Sequence, residues 1–252
     1  MKRKPESTPY YQDIVEALDK AGCPICRLLA ASTERYLDSV LWELVNDHGV
    51  RDELNRARGY CQQHGWLLVR AGAALGVAIL MRDVVRTLLA EVETNPIEEV
   101  SESAVQGLLR SLERDPECKA TVKLEAALAP QTPCPVCALE QDRECDYVKT
   151  LTAHLVGRGA LADAYRASDG LCLEHFRGAL ARASSKSEAE MLVAVQQAVW
   201  QRLHEELGEF IRKNDHQFRG ETFGQEKDSW RRALEAVSGP APRSQSARQG
   251  LT

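Results

Sequence analysis

Several things are scarce in this 252-residue chain, and each scarcity excludes something. Aromatic residues make up only 6%, and no convincing run of alternating β-branched residues occurs. A sheet-based core is therefore not expected. Long apolar runs are missing too. The uncharged, largely apolar stretch Ala71 to Met81 covers 11 residues and is too short to span a bilayer. The opening MKRKPESTPYY carries positive charge with no apolar stretch behind it, so a secretory signal is not expected. Excess positive charge is also absent. At a net charge of -5 the chain is a poor general binder of nucleic acid. There is no P-loop, no GxSxG elbow and no HExxH, and no catalytic constellation stands out.

What is present is helix-forming and rich in cysteine. Apolar residues reach 44%, with abundant Ala, Leu, Glu and Arg, and the length is enough for a large core. The expected fold class is all-α. Eight cysteines in a chain expected to be cytoplasmic, where thiols stay reduced, point to metal or redox chemistry instead of a disulfide framework.

The cysteines define a repeat. Cys23-Pro24-Ile25-Cys26 is followed 35 residues later by Cys61 and then His64, within GYCQQH. Cys134-Pro135-Val136-Cys137 is followed 35 residues later by Cys172 and then His175, within GLCLEH. All the motif positions recur at an offset of 111 residues, and Tyr36/Tyr147, Leu44/Leu155, Asp52/Asp163 and Gly59/Gly170 follow in the flanks. This reads as an internal duplication. The expected layout is a first helical metal-binding repeat over 10–94, a connector over 95–133 and a second repeat over 134–214. A segment over 215–239 should pack on the body through Phe218, Phe223 and Trp230, and a disordered tail should occupy 240–252.

Amphipathic periodicity predicts helices from about Arg27 to Val45 and from Leu139 to Val156. Gly59 and Gly170 are expected as helix caps. The helix opening at Cys61 should run to about Val92, and its counterpart should break near Ala183 to Ser187 and resume to about Arg212. In the connector, Ser103 with Gln106 should cap a helix ending near Asp115-Pro116. Gly157 to Ala162 matches GxGxxA but follows a helical pattern, so it reads as a helix–helix turn. Gly72 and Gly76 form a GxxxG that marks close helix packing, with a homodimer contact as the alternative. Cys118, Cys145, His48, His154, His204 and His216 lie outside the repeat and read as ordinary core or surface residues.

Two cysteines separated by two residues can share one metal ion, and proline between them restricts the loop. A cysteine and a histidine three apart on a helix also converge. Three thiolates and one imidazole make a tetrahedral set suited to Zn²⁺, and a filled shell argues for structure over catalysis. The expected ligands are Cys23, Cys26, Cys61 and His64 for one ion, and Cys134, Cys137, Cys172 and His175 for a second. Each ion would staple one half of the chain. The rival readings are incidental thiols and thiol redox work by the CPxC pairs.

With CPIC, GYCQQH, CPVC, GLCLEH and the terminal GQEKDSWRRALEAVSG in view, the chain resembles the DUF6062 family, bacterial proteins of unknown function. The resemblance runs from Tyr10 to Gly239. It departs at His216-Gln217-Phe218-Arg219, where the family reads DYR, and at Leu171, where the family has an aromatic. The resemblance implies a helical fold and metal sites at the eight residues just named, and it implies no reaction. The leading functional expectation is a zinc-stabilised interaction or adaptor protein, with no reaction assigned and no catalytic or other cofactor-binding residue identified. The alternatives are a metal- or redox-responsive protein and an enzyme with a pocket between the halves.

Overall fold

The structure is a computed structural model that describes residues 8–97, 122–218 and 220–241. The connector helix expected after Ser103, Cys118, Arg219 and the tail beyond residue 241 lie outside the described residues. Among the described residues there is helix and no strand.

Two long helices share one construction. α2 (Pro24–Trp42) follows α1 (Tyr11–Leu18), and α7 (Pro135–Ala153) comes later in the chain; each has 19 residues. Proline stands at the first helical position of both, where its missing N–H costs nothing and its fixed φ suits the helix. After α2 come α3 (His48–Arg56), the single-turn α4 (Gln62–Gly65), a 3₁₀ turn at Trp66–Leu68, α5 (Ala74–Thr94) and α6 (Val122–Leu128). After α7 come α8 (Ala160–Ala167), α9 (Leu173–Arg182), α10 (Lys186–Lys213) and, following two 3₁₀ turns, α11 (Ser229–Ser238).

The chain divides into two compact units that are not the two sequence repeats. Within the described residues, the first unit takes in 8–34 and 139–241, and the second takes in 35–97 and 122–138. α2 and α7 each give one end to each unit. Ile25 and Leu28 of α2 and Tyr147, Val148 and Leu151 of α7 belong to the first unit's core, with Ile14, Leu161, Tyr165 and Leu192. Leu37, Val40 and Leu41 of α2 and Val136 of α7 belong to the second unit's core, with Leu54, Leu68, Leu80 and Val84. The buried Asp83 of α5 sits there between Arg51 and Arg86, which keeps its charge paired.

Two expectations change, and a third, the close packing at the GxxxG, is seen. The helix opening at Cys61 does not run on to Val92, because it stops after the turn at Trp66–Leu68 and restarts at Ala74. Gly72 supplies the break with a left-handed φ of 75° beside Trp42. Gly76 is the tighter position, since a Cβ there would lie 3.1 Å from the Leu41 carbonyl oxygen. The small residues of the GxxxG therefore serve packing within the chain. Gly59 is not itself the αL cap of α3. Arg58 takes that position at φ 55°, and the N–H groups of Arg58 and Gly59 donate to the carbonyls of Asn55 (3.1 Å) and Leu54 (2.9 Å) in a Schellman pattern. The Arg58 side chain holds this conformation through Glu91 and the Ala127 carbonyl.

Gly170 is more demanding. Its φ is 71°, and an added Cβ would lie 2.9 Å from Gln196 Oε1, the atom that accepts the Leu171 N–H at 3.0 Å. Gly59 has a left-handed φ as well, but its nearest neighbour to a Cβ is Val84 at 3.8 Å. Gly170→Ala should cost about 1–3 kcal/mol, more than Gly59→Ala, when the two are compared by denaturant unfolding.

In the C-terminal segment α11 packs on α9 and α10. Phe223 stacks at 5.5 Å on Phe210, and Arg212 lies over Phe218. The buried Glu226 accepts from Lys213 Nζ (2.8 Å) and the Gly224 N–H (2.8 Å). Lys213 first, then the backbone N–H groups of Gly224 and of Glu226 itself, hold its carboxyl at about 2. The unfolded value is about 4.3, so this carboxylate adds stability above that pH and loses it as pH falls towards 2. The melting-temperature gap between wild type and Glu226→Gln should be constant near neutrality and close over that window.

Candidate metal centres

All the candidate ligands stand at helix N-termini. Cys23 and Cys134 precede α2 and α7, and their carbonyls accept from the N–H groups of Arg27 (3.3 Å) and Ala138 (3.0 Å). Cys61 and Cys172 are the N-caps of α4 and α9, with nearly equal backbones at φ -63°, ψ 165° and φ -67°, ψ 162°. Their carbonyls accept from Gly65 and Phe176, each at 2.8 Å. Cys26, His64, Cys137 and His175 follow three residues after these caps. Each CPxC or CxxH thus points two donors off the start of a helix, where the dipole favours thiolate.

The eight side chains form two groups of three cysteines and one histidine, and the pairing is crossed. The first group is Cys23, Cys26, Cys172 and His175, and the second is Cys61, His64, Cys134 and Cys137. Each CPxC meets the CxxH of the other repeat. This corrects the pairing within repeats drawn from the sequence. The physical reason is the long helix behind each CPxC: 19 residues of α-helix run about 28 Å. The chain has passed into the other compact unit before it reaches the next CxxH. Each complete group therefore lies inside one unit, the first in 8–34 with 139–241 and the second in 35–97 with 122–138.

Within each group the donor atoms lie within 4.8 Å of one another. In the first, Nδ1 of His175 is 3.1 Å from Cys172 Sγ, 3.3 Å from Cys26 Sγ and 3.5 Å from Cys23 Sγ, and Cys26 and Cys172 are 3.6 Å apart. In the second, Nδ1 of His64 is 3.3 Å from Cys61 Sγ, 3.4 Å from Cys137 Sγ and 3.7 Å from Cys134 Sγ, and Cys61 and Cys137 are 3.7 Å apart. A tetrahedral ion with bonds of about 2.3 Å to sulfur and 2.0–2.1 Å to nitrogen requires S···S edges of about 3.8 Å and S···N edges of about 3.5 Å. A disulfide would require about 2.05 Å between sulfurs. The residues fit a metal ion, and the cysteines are free thiols.

The protons of each group are unevenly shared. Hydrogen bonds from Cys23 and Cys26 push the Cys172 thiol well below its usual range, and the His175 imidazole also stabilises its thiolate. Burial works against the charge on His175, but Cys172 and Cys23 outweigh it and raise the imidazole to about 10. Cys26 is pushed up, chiefly by its hydrogen bond to Cys172. In the second group burial opposes the Cys134 thiolate, yet His64 and three backbone donors bring that thiol down to about 6. Burial and the neighbouring Cys61 push Cys137 up to about 12. A metal ion entering either group must displace the remaining protons.

A sequence model described as "Family of unknown function (DUF6062)" matches residues 1–244. The chain belongs to the DUF6062 family. It is 22% identical over 227 residues to the "Uncharacterized 23.9 kDa protein in xynA 3'region" of Caldicellulosiruptor sp. (strain Rt8B.4), an alignment covering 90% of this chain and 99% of that protein. No solved structure matches the chain.

In this DUF6062 member the structure also adds Glu144, which no motif pointed to. Its Oε1 lies 4.0 Å from His175 Nε2, on the far side of the ring from the thiols. At that distance it makes no hydrogen bond, but its charge lies on the side of the ring that a second-sphere carboxylate would occupy. Glu144 sits mid-helix in α7, remote in sequence from both motifs that it serves. Cys145 joins neither group. His48 pairs with Asp52, His154 meets Thr8 and His216 pairs with Asp215.

Proposed function

We propose that each group holds one Zn²⁺ and that the protein is a zinc-stapled helical interaction module of the cytoplasm. The observation that carries the reading is the pair of donor sets with edges close to those of a zinc tetrahedron. Three thiolates and an imidazole suit zinc, and four filled positions leave none open for a substrate. The zinc supplies a fixed crosslink between helix starts. Cys23 and Cys26 clamp α2 to α9 through Cys172 and His175, and Cys134 and Cys137 clamp α7 to the short α4 through Cys61 and His64.

The interaction role is supported by large apolar side chains left exposed. On α5, Val85, Leu89 and Val92 are exposed at four- and three-residue steps, and Leu75 near its start and Trp42 and Trp66 of the same unit are exposed as well. A partner protein or a second copy would use these side chains, since Gly76 is already packed on Leu41. Among the described residues no helix is long and apolar enough to cross a membrane.

The direct test is elemental analysis of protein purified without added metal and without a nickel column. The expected result is about two zinc per chain, with the six group thiols protected from a thiol reagent until a chelator is added. Iron, or no metal with disulfides in the CPxC pairs, would overturn the reading.

A further inference from the structure

A cavity of about 70 Å³ lies against the first metal group and within the same compact unit. Cys23 and Cys172 form part of its wall, and Leu171, Val199, Leu203 and Ala236 supply the apolar part. Two further lining residues, Arg202 and Glu235, bring opposite charges to it. The Arg202 guanidinium meets Asp169 at 3.4 Å and no other acid among the described residues. The half-buried Glu235 carboxylate has no hydrogen bond or ion pair among them. Arg202 and Glu235 do not pair with each other, although both face the cavity. The remaining charges are engaged: Asp169 accepts the Gly22 N–H at 3.0 Å, and Arg232 binds Glu206 (2.6 Å) and Asp228 (2.9 Å). Gly22 has a φ of 80°, and a Cβ there would stand 3.9 Å from Glu235 Oε2, so a longer side chain would intrude on this wall.

We infer that this cavity binds a small zwitterionic α-amino acid. Its carboxylate meets Arg202, its ammonium meets Glu235, and its short side chain lies on the apolar wall. A half-buried carboxylate without a partner is costly, and the exposed Arg202 at the mouth offers donors now met by water. One ligand carrying both charges satisfies the two together. A simple anion would face Glu235 and the nearby thiolates, and a simple cation would face Arg202. Size narrows the class. A water-sized group takes about 10–15 Å³ of such space, so the cavity holds about five to seven non-hydrogen atoms, the size of glycine, alanine or serine. Bound there, the ligand covers the half-buried Cys23.

The experiment is calorimetric titration of the full-length, zinc-loaded chain with glycine, L-alanine and L-serine, and separately with acetate and methylammonium. Metal content is checked before and after, so that failure of the zinc reading is seen apart from failure of this one. The expected result is one-to-one binding of at least one amino acid, with acetate and methylammonium weaker by about tenfold or more. Arg202→Gln and Glu235→Gln should each weaken binding by about tenfold or more while metal content holds. Ala236→Leu, which fills the cavity, should abolish binding and carries the test if either polar variant fails to fold. Absence of binding by all three amino acids at millimolar concentration would overturn the proposal. So would acetate or methylammonium binding as tightly as the amino acids, or binding that survives both charge substitutions.

Discussion

Stripping zinc with a strong chelator at neutral pH should lower the melting temperature by tens of degrees and remove much of the helical circular dichroism signal. The magnitude follows from two scales. A structural zinc contributes about 10–16 kcal/mol of apparent binding free energy in small domains, whereas a whole domain is stable by about 5–15 kcal/mol. A loss of even 10 kcal/mol at about 2–4 °C per kcal/mol moves the midpoint by about 20 °C or more. The short elements should go first. α4 has four residues, far below the length at which an isolated helix persists, and the group at Cys61 and His64 anchors its start. α10, with 28 residues and the core side chains Leu192 and Val195, should keep more of its helix. Adding zinc back should restore the signal. A melting curve unmoved by complete zinc removal would show that the two cores stand without their staples.

Much of the local structure is legible in the sequence, because local rules govern it. Pro24 and Pro135 mark helix starts through their fixed φ, and the break before Lys186 follows from the polar run at Ser184 and Ser185. Ser185 caps α10 by accepting the Glu188 N–H at 3.2 Å. The break at Gly72 is hidden, because Ala71 to Met81 is an uncharged helix-forming run and only tertiary packing against Trp42 and Leu41 selects the turn. Arg58 in the left-handed region is hidden for a similar reason, since its conformation depends on Glu91, 33 residues away. The identity of the eight candidate ligands was legible from residue type and spacing. Their partners were not: both repeats carry the same 35-residue gap, so spacing alone gives each CPxC two equivalent choices. What decides is where α2 and α7 carry the chain, a property of the whole fold. Glu144 was invisible because its partner, His175, is a contact made in three dimensions.

Removing any one ligand should cost one zinc and no more. His175→Ala should release the ion of the first group, with loss of amide protection at the start of α9, while α4 and the second group stay intact. Because the two groups share no residue and lie in separate compact units, paired substitutions report the wiring directly. The decisive measurement is the zinc content of two double variants, each purified without added metal. Cys26→Ala with His175→Ala damages one group twice and should keep about one zinc per chain. Cys26→Ala with His64→Ala damages both groups and should keep none. The reverse outcome, one zinc in the second variant and none in the first, would show that each CPxC binds with the CxxH of its own repeat and would contradict the crossed pairing.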